Sequence, residues 1–306
     1  MSKVNLIENC VSPDVLIRYT KAYDHFIDWC SMSGLKLSVY NLDPILYEYF
    51  QQSARSNPRA GNRTNCTYAR NFIRLYFPEL PLLLSQQALK GWCRMITARV
   101  TNPMPRALAL LMARHFMTIR RLDFAVITLV GFDCYLRTSS EFINIHVADI
   151  TLPGQAVAST GLTNGCLRLR KTKTGEEQSV LLRDDVSVTL LRKLYHKRNG
   201  HLRLLSCTDR QYSKAFHFFL KSIDLEDLFR VYSLRHGGAT HDFCKLEPIE
   251  DIKTRGRWRR LQTCERYVNV GRTLAYSLRF SPKVSSMMDR LMNDNSLVFR
   301  NLDGFI

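Results

Sequence analysis

The sequence is short of acidic residues. Its 306 positions hold 27 Asp and Glu against 44 Lys and Arg, a formal net charge of +17. An excess of that size repels itself in the folded state and calls for a polyanionic partner. The basic residues are spread along the whole chain, which fits nucleic acid. A membrane-surface protein would gather them on one amphipathic helix or beside a span. CxxC pairs are missing too: nine cysteines lie far apart, from Cys10 to Cys264. That spacing excludes a zinc knuckle and a secreted disulfide scaffold, and a reducing intracellular compartment is the simplest reading. Long apolar runs are absent. The longest, FAVITLVGF from Phe124 to Phe132, is far too short to span a bilayer and reads as a buried helix. The stretch MSKVNLIENCVSPD has no apolar signal core, so no secretory leader is expected. The sequence also lacks a P-loop, an HExxH, a GxSxG and a carboxylate cluster fit for catalytic magnesium. His236 and His241 are five apart, a poor spacing for one metal on a helix, and read as packing histidines. No cofactor and no metal is implied, and a metal-free chemistry is the one to look for.

What is there describes a globular chain, 45% hydrophobic and 23% charged, long enough for two domains. Apolar residues recur at helical spacing from Pro13 to Met32, and Gly34 breaks the pattern. A second helix follows Asp43-Pro44, with proline well placed in its first turn. The basic stretch RSNPRAGNR, Arg55 to Arg63, reads as a loop, and helices follow over TNCTYARNFIRLYF and SQQALKGWCRMITARV. Tyr19, Tyr23 and Trp29 read as core. The segment Asn102 to Pro105 reads as a linker. The expected fold is mainly α with a small β-sheet, an all-α domain over 1–103 and a second domain over 104–306. In the second, CLRLRKTKTGEEQSVLL alternates around a Thr-Gly turn, which predicts a hairpin between helices.

Four places set a cation in a distinctive context. They are YLRTSSE with Arg137 and Glu141, and KTKTGEE with Lys171 and Lys173. Then come YSLRHGGAT with Tyr232, Arg235 and His236, and RGRWRRLQTCERYV, where Trp258 precedes Tyr267 by nine residues. Each is weak alone. The small residues after His236 allow a helix to pack closely. Arg255, Arg257, Arg259, Arg260 and Arg266 read as DNA-backbone contacts or solvated charges, which position a protein without reading sequence.

Taken in order, the four resemble the tyrosine recombinases (phage-integrase type), over roughly Ala107 to Phe280. The resemblance implies a helical core-binding domain and a catalytic domain that together clamp duplex DNA. Arg137 matches the family's first arginine, and EFINIHVAD, through Asp149, matches the segment that follows it. Lys173 matches the hairpin lysine, with Lys171 less favoured. Arg235 matches the second arginine, Trp258 the His/Trp position and Tyr267 the nucleophile. Arginine suits a phosphate because it stays protonated and its planar fork fits the oxygens. A free phenol is only about 0.1% ionised near pH 7, so Tyr267 needs that positive field. The implied product is a 3′-phosphotyrosyl bond, with Lys173 protonating the departing 5′ oxygen. The Trp258 indole N–H would donate to a phosphate oxygen.

Two positions depart from the family pattern. Tyr232 stands where a histidine is usual, and a phenol is a poor base at neutral pH. Glu141 lies one residue further from Arg137 than is common, leaving Ser140 or Glu141 as the supporting partner, with His236 also in support. The resemblance implies a site-specific recombinase or mobile-element integrase acting on double-stranded DNA as a homotetramer on paired sites. It would work in a nucleus or in a prokaryotic cytoplasm. An idle DNA-binding descendant and a type IB topoisomerase-like enzyme are the other two readings. The tail after Phe280, with MMDRLM and apolar residues to Ile306, would dock on a neighbouring subunit or cap its own.

Overall fold

The computed structural model describes residues 7–96, 101–155, 164–172, 175–196 and 202–299, without the side chains of Ala60 and Ser139. The chain divides into two compact units, Met1–Val100 and Thr101–Ile306.

The first unit is built from α1 (Pro13–Met32), α2 (Leu42–Ser56), α3 (Ala60–Tyr76) and α4 (Leu83–Met95). Pro13 opens α1, where its missing N–H is not needed. The apolar stripes meet in one core around Phe26, Leu46, Phe50, Ile73 and Trp92. Tyr23 stacks on Phe72 at 4.4 Å, and Trp29 donates to Gln52 Oε1 at 2.6 Å. Asp43 accepts from the backbone N–H groups of Leu84 and Ser85 at 2.8 and 3.0 Å, satisfying the open end of α4. The basic loop expected over Arg55 to Arg63 is shorter than that. Arg55 belongs to α2 and Arg63 to α3, because the Asn57 side chain accepts from Arg59 N–H and starts the next helix early.

The second unit has a buried pair at its centre, α5 (Arg106–Thr118) and α6 (Leu122–Asp133). Every residue of α6 from Leu122 to Phe132 is buried, which is why its sequence is apolar all round. Around the pair lie α7 (Asp185–Tyr195), α8 (Asp209–Lys221), α9 (Ser233–Cys244), α10 (Ile249–Arg255), α11 (Leu261–Glu265), α12 (Val270–Ser277) and α13 (Pro282–Asn293). A small antiparallel sheet orders β1 (Ile150–Thr151), β2 (Gly165–Thr172) and β3 (Gly175–Leu182) side by side. Leu167 pairs with Val180 and Gly165 with Leu182, so one face is apolar while Arg168 and Arg170 face out. The architecture is mainly α with a small sheet, as the periodicity predicts.

The segment Asn102 to Pro105 is fastened to the second unit rather than left as a free linker. Met104 is buried and its N–H donates to Ser233 O at 3.0 Å. Asn102 donates to Leu228 O at 3.0 Å, and the Tyr276 hydroxyl donates to Pro103 O. The described part of the C-terminal segment caps its own unit. Val284, Met288, Leu291 and Val298 are buried in the main core, and α13 lies on α5. Phe305 and Ile306 lie outside the described residues. No described helix is long and apolar enough to cross a membrane.

Helix α9 approaches its neighbours through glycine. A Cβ on Gly237 would sit 2.1 Å from Met104 O, and one on Gly238 2.1 Å from Phe132 O. Backbone cannot yield as a side chain can. Gly238→Ala is therefore expected to destabilise by about 3 kcal/mol or more, the top of the range for overpacking. Gly91→Ala, in the open middle of α4, should stabilise by up to about 1 kcal/mol. Denaturant unfolding of both variants checks this. Equal effects would contradict the close approach.

Candidate active site

The site begins where α6 ends. Leu136 N–H returns to Gly131 O at 3.0 Å and Tyr135 N–H to Phe132 O at 3.3 Å, a helix-closing turn that puts Tyr135 in the left-handed region, φ 47°. Glycine usually fills that place; a bulky residue there costs about 1–3 kcal/mol. Burial of the ring offsets it: Tyr135 stacks on Trp258 at 6.0 Å, and its hydroxyl donates to Asp242. The turn aims the Tyr135 carbonyl at two guanidiniums. Arg235 Nη1 donates to it, and Arg257 Nη2 donates at 3.2 Å.

Arg137 follows two residues on and opens a π-type turn over Thr138–Phe142, closed by Ile143 N–H to Thr138 O at 2.9 Å. Such a turn holds one more residue than an α-helical one. Just before it, Glu141 N–H reaches back to Arg137 O at 2.8 Å and sets the two side chains together. The supporting partner is Glu141, and Ser140 is exposed. The Glu141 carboxylate, 0% exposed, takes Arg137 Nη1, the Arg137 backbone N–H at 2.9 Å and Arg257 Nη2 at 2.9 Å, with Arg235 Nη1 at 3.7 Å. Burial alone would raise its pKa. Arg257, the Arg137 N–H, Arg235 and Arg137 outweigh that and hold the carboxyl below its usual value.

Arg235 comes from the first turn of α9 and is 0% exposed. Besides Tyr135 O it donates to Gly256 O at 2.6 Å, and its guanidinium lies 5.0 Å from the Trp258 ring and 5.5 Å from that of Tyr267. Burial, with Arg137 and Arg257 beside it, pulls its pKa to about 10, so it remains a cation at neutral pH.

Above this cluster lies an open cleft of about 500 Å³ lined by Arg137, Tyr232, Trp258, Arg259, Arg260, Thr263 and Tyr267. Tyr267 packs against the Trp258 ring at 4.5 Å and stacks on His236 at 4.4 Å. Its hydroxyl bonds that of Tyr232. Arg235 stays beneath the cleft, so the two matched arginines occupy different depths. A second cleft, about 540 Å³, adjoins at Arg137 and is lined also by Arg168, Arg170 and Lys171. Lys173 lies outside the described residues. Four buried nitrogens here have no hydrogen-bond partner among the described residues: Trp258 Nε1, His236 Nδ1, Arg235 Nε and Arg257 Nε. Unmet buried polar atoms of this kind are rare away from functional sites. Among the described residues no cluster of His, Cys, Asp and Glu is arranged to hold a metal ion.

The reading of RGRWRR divides in two. Arg259 and Arg260 are exposed at the cleft. Arg255 and Arg257 are not surface charges: both side chains are 5% exposed. Arg255 binds Asp133 Oδ1 at 2.5 Å and Leu181 O at 2.9 Å; Arg257 binds Glu141 and the carbonyls of Cys134 and Arg255. The backbone decides this, because α10 ends at Arg255 and Arg257 takes φ 56°, turning both side chains inward. Tyr135 and Gly256 were not among the expected site residues, and Arg257 was expected at the DNA backbone rather than on Glu141. Gly256 carries a signal of its own, since a Cβ there would sit 2.1 Å from the Trp258 ring.

Two measurements test the site. Glu141→Gln leaves three guanidiniums without their counter-charge, so unfolding free energy should fall by about 3–5 kcal/mol. A loss below 1 kcal/mol would contradict the cluster. Burial, with the Arg235 charge, pulls His236 to about 4; burial, then Lys245 and Arg106, does the same to His241. Unfolded imidazoles protonate near 6.5. Between those values the unfolded chain binds more protons, so stability is full above pH 6.5 and falls toward pH 4, by up to about 3 kcal/mol per histidine. Urea unfolding over that range should show the slope, and His241→Gln should remove about half.

No known family model matches the sequence, and no curated protein does. Solved structures match in fold. The post-cleavage complex of the XerH site-specific recombinase with a palindromic difH substrate aligns at TM-score 0.57 and 13% identity, over 87% of this chain and 77% of that one. The Tn1549 transposon integrase, in complex with transposon right end DNA, aligns at TM-score 0.59 and 10% identity, over 88% and 94%. At these identities the likeness is one of architecture, and the chain has the fold of the tyrosine recombinases.

Proposed function

We propose that the chain cleaves and rejoins duplex DNA as a site-specific recombinase or integrase, with Tyr267 as nucleophile. The observation that carries the reading is the Tyr267 hydroxyl in an open cleft with Arg137, over buried Arg235. Breaking a phosphodiester requires fixed positive charge where charge develops on the phosphoryl oxygens. Arg137 would meet the phosphate directly from the cleft wall. Arg235 would add its field from below, and the unpartnered Trp258 N–H a further donor. Arg259 and Arg260 suit backbone contacts that position the duplex. Lys173, as general acid, would protonate the 5′ oxygen released when Tyr267 takes the 3′ phosphate, and Lys171 lies on the same hairpin. The phosphotyrosyl link keeps the phosphodiester energy, so rejoining needs no ATP. Recombination exchanges four strands, which implies a homotetramer on paired sites.

Nicked suicide duplexes, drawn from sequences the protein selects from a random pool, test this on a denaturing gel. A covalent adduct is expected, lost in Tyr267→Phe and reduced at least about 100-fold in Arg137→Ala, with duplex binding changed only a few-fold. No adduct on any bound duplex would leave only a DNA-binding protein. Relaxation of plasmid without paired sites would move the reading to a topoisomerase.

A further inference from the structure

We infer that Tyr232 serves the nucleophile rather than the phosphate: its phenol donates a hydrogen bond to the Tyr267 oxygen and steadies the charge that gathers there before attack. This rests on the strand-cleavage reading and adds to it a positioning and charge-stabilising role for the residue that replaces the usual histidine.

The geometry starts from the N-terminus of α9. Tyr232 occupies the cap position, three residues before Arg235, and is 38% exposed at the cleft. Its hydroxyl bonds the Tyr267 hydroxyl and has no other hydrogen-bond partner among the described residues. The two rings meet edge-on at 6.0 Å, and His236 is wedged against both, edge-on to Tyr232 at 5.4 Å and stacked on Tyr267. The Tyr267 ring is thus fixed by packing, and its oxygen by Tyr232.

Two neutral phenols can share that bond in either direction. Once Tyr267 gives up its proton it can only accept, so Tyr232 must donate, and the bond becomes charge-assisted. Burial, then the hydrogen bond and charge of Tyr267, push Tyr232 up to about 12, against the opposing pull of Arg235 and Arg137. Tyr232 therefore keeps its proton at neutral pH. The charged groups that face the pair are Arg137, Arg259 and Arg260 at the cleft and Arg235 beneath; His236 stays neutral.

The step balances without further reagents. The Tyr267 proton leaves to water through the open cleft, the Tyr267 oxygen forms its bond to phosphorus, and the bond to the 5′ oxygen breaks. That oxygen takes a proton from the general acid. Tyr232 ends as it began.

Single-turnover adduct formation by the full chain, followed from pH 6.5 to 9.5, tests the inference. Tyr232→Phe should form adduct about tenfold more slowly at pH 7, with duplex binding unchanged, because a hydrogen bond to a charged group is lost. The deficit should narrow as rising pH supplies the phenolate, and Tyr232→His, which restores a donor, should recover most of the rate. A deficit that is the same at every pH would make Tyr232 a packing residue and overturn the inference. So would a variant as fast as the wild type, or faster. In all those outcomes the wild type still forms adduct; if it forms none at any pH, the strand-cleavage reading itself has failed.

Discussion

One buried carboxylate holds the site together. Glu141 binds Arg137 and Arg257 directly and stands 3.7 Å from Arg235. Three guanidiniums against one carboxylate leave two positive charges unbalanced, and two of the three, Arg235 and Arg257, are buried. Buried like charges do not gather unaided. The cluster persists because Glu141 sits among them and because backbone carbonyls at Tyr135, Gly256, Cys134 and Arg255 accept from Arg235 and Arg257. What remains is a field aimed at the cleft above, suited to an anion whose charge grows as it reacts.

The same arrangement explains why the surrounding backbone is unusual. The left-handed residues Tyr135 and Arg257, the π-type turn after Arg137 and the glycines of α9 each depart from regular structure. Each brings a carbonyl, a carboxylate or a guanidinium within reach of the others. The strain stays because buried rings and hydrogen bonds hold these segments, Tyr135 on Trp258 above all. Tyr267 rests on this rigid floor, in one apolar cluster with Tyr135, Ala239, Ile252, Trp258 and Cys264.

Much of this was legible in the sequence, and the limits have physical causes. The helix over Pro13–Met32, the apolar helix ending at Phe132 and the hairpin follow from periodicity, which reports which face is buried. The sequence order of Arg137, Arg235, Trp258 and Tyr267 pointed to residues that meet around one cleft and its floor. Periodicity says nothing about residues in short irregular turns, and there the reading failed. Arg255 and Arg257 look no different from Arg259 and Arg260 in RGRWRR, yet the end of α10 and one positive φ turn the first two inward. Tyr135 offers no signal, since its contribution is a carbonyl. The spacing of Glu141 left Ser140 open as an alternative, because spacing alone does not say which side chain of a short irregular turn points inward.

The central claim is that one phenol, Tyr267, becomes covalently bound to DNA while its hydrogen-bonded neighbour does not. Trypsin cuts after Arg266 and Arg272, and after Arg230 and Arg235, so the two tyrosines fall on separate short peptides. Mass spectrometry of a trypsin- and nuclease-treated adduct therefore reads the attachment directly. The account predicts a phosphonucleotide on the peptide Tyr267 to Arg272. A nucleotide on the peptide Val231 to Arg235, or on neither, would contradict it.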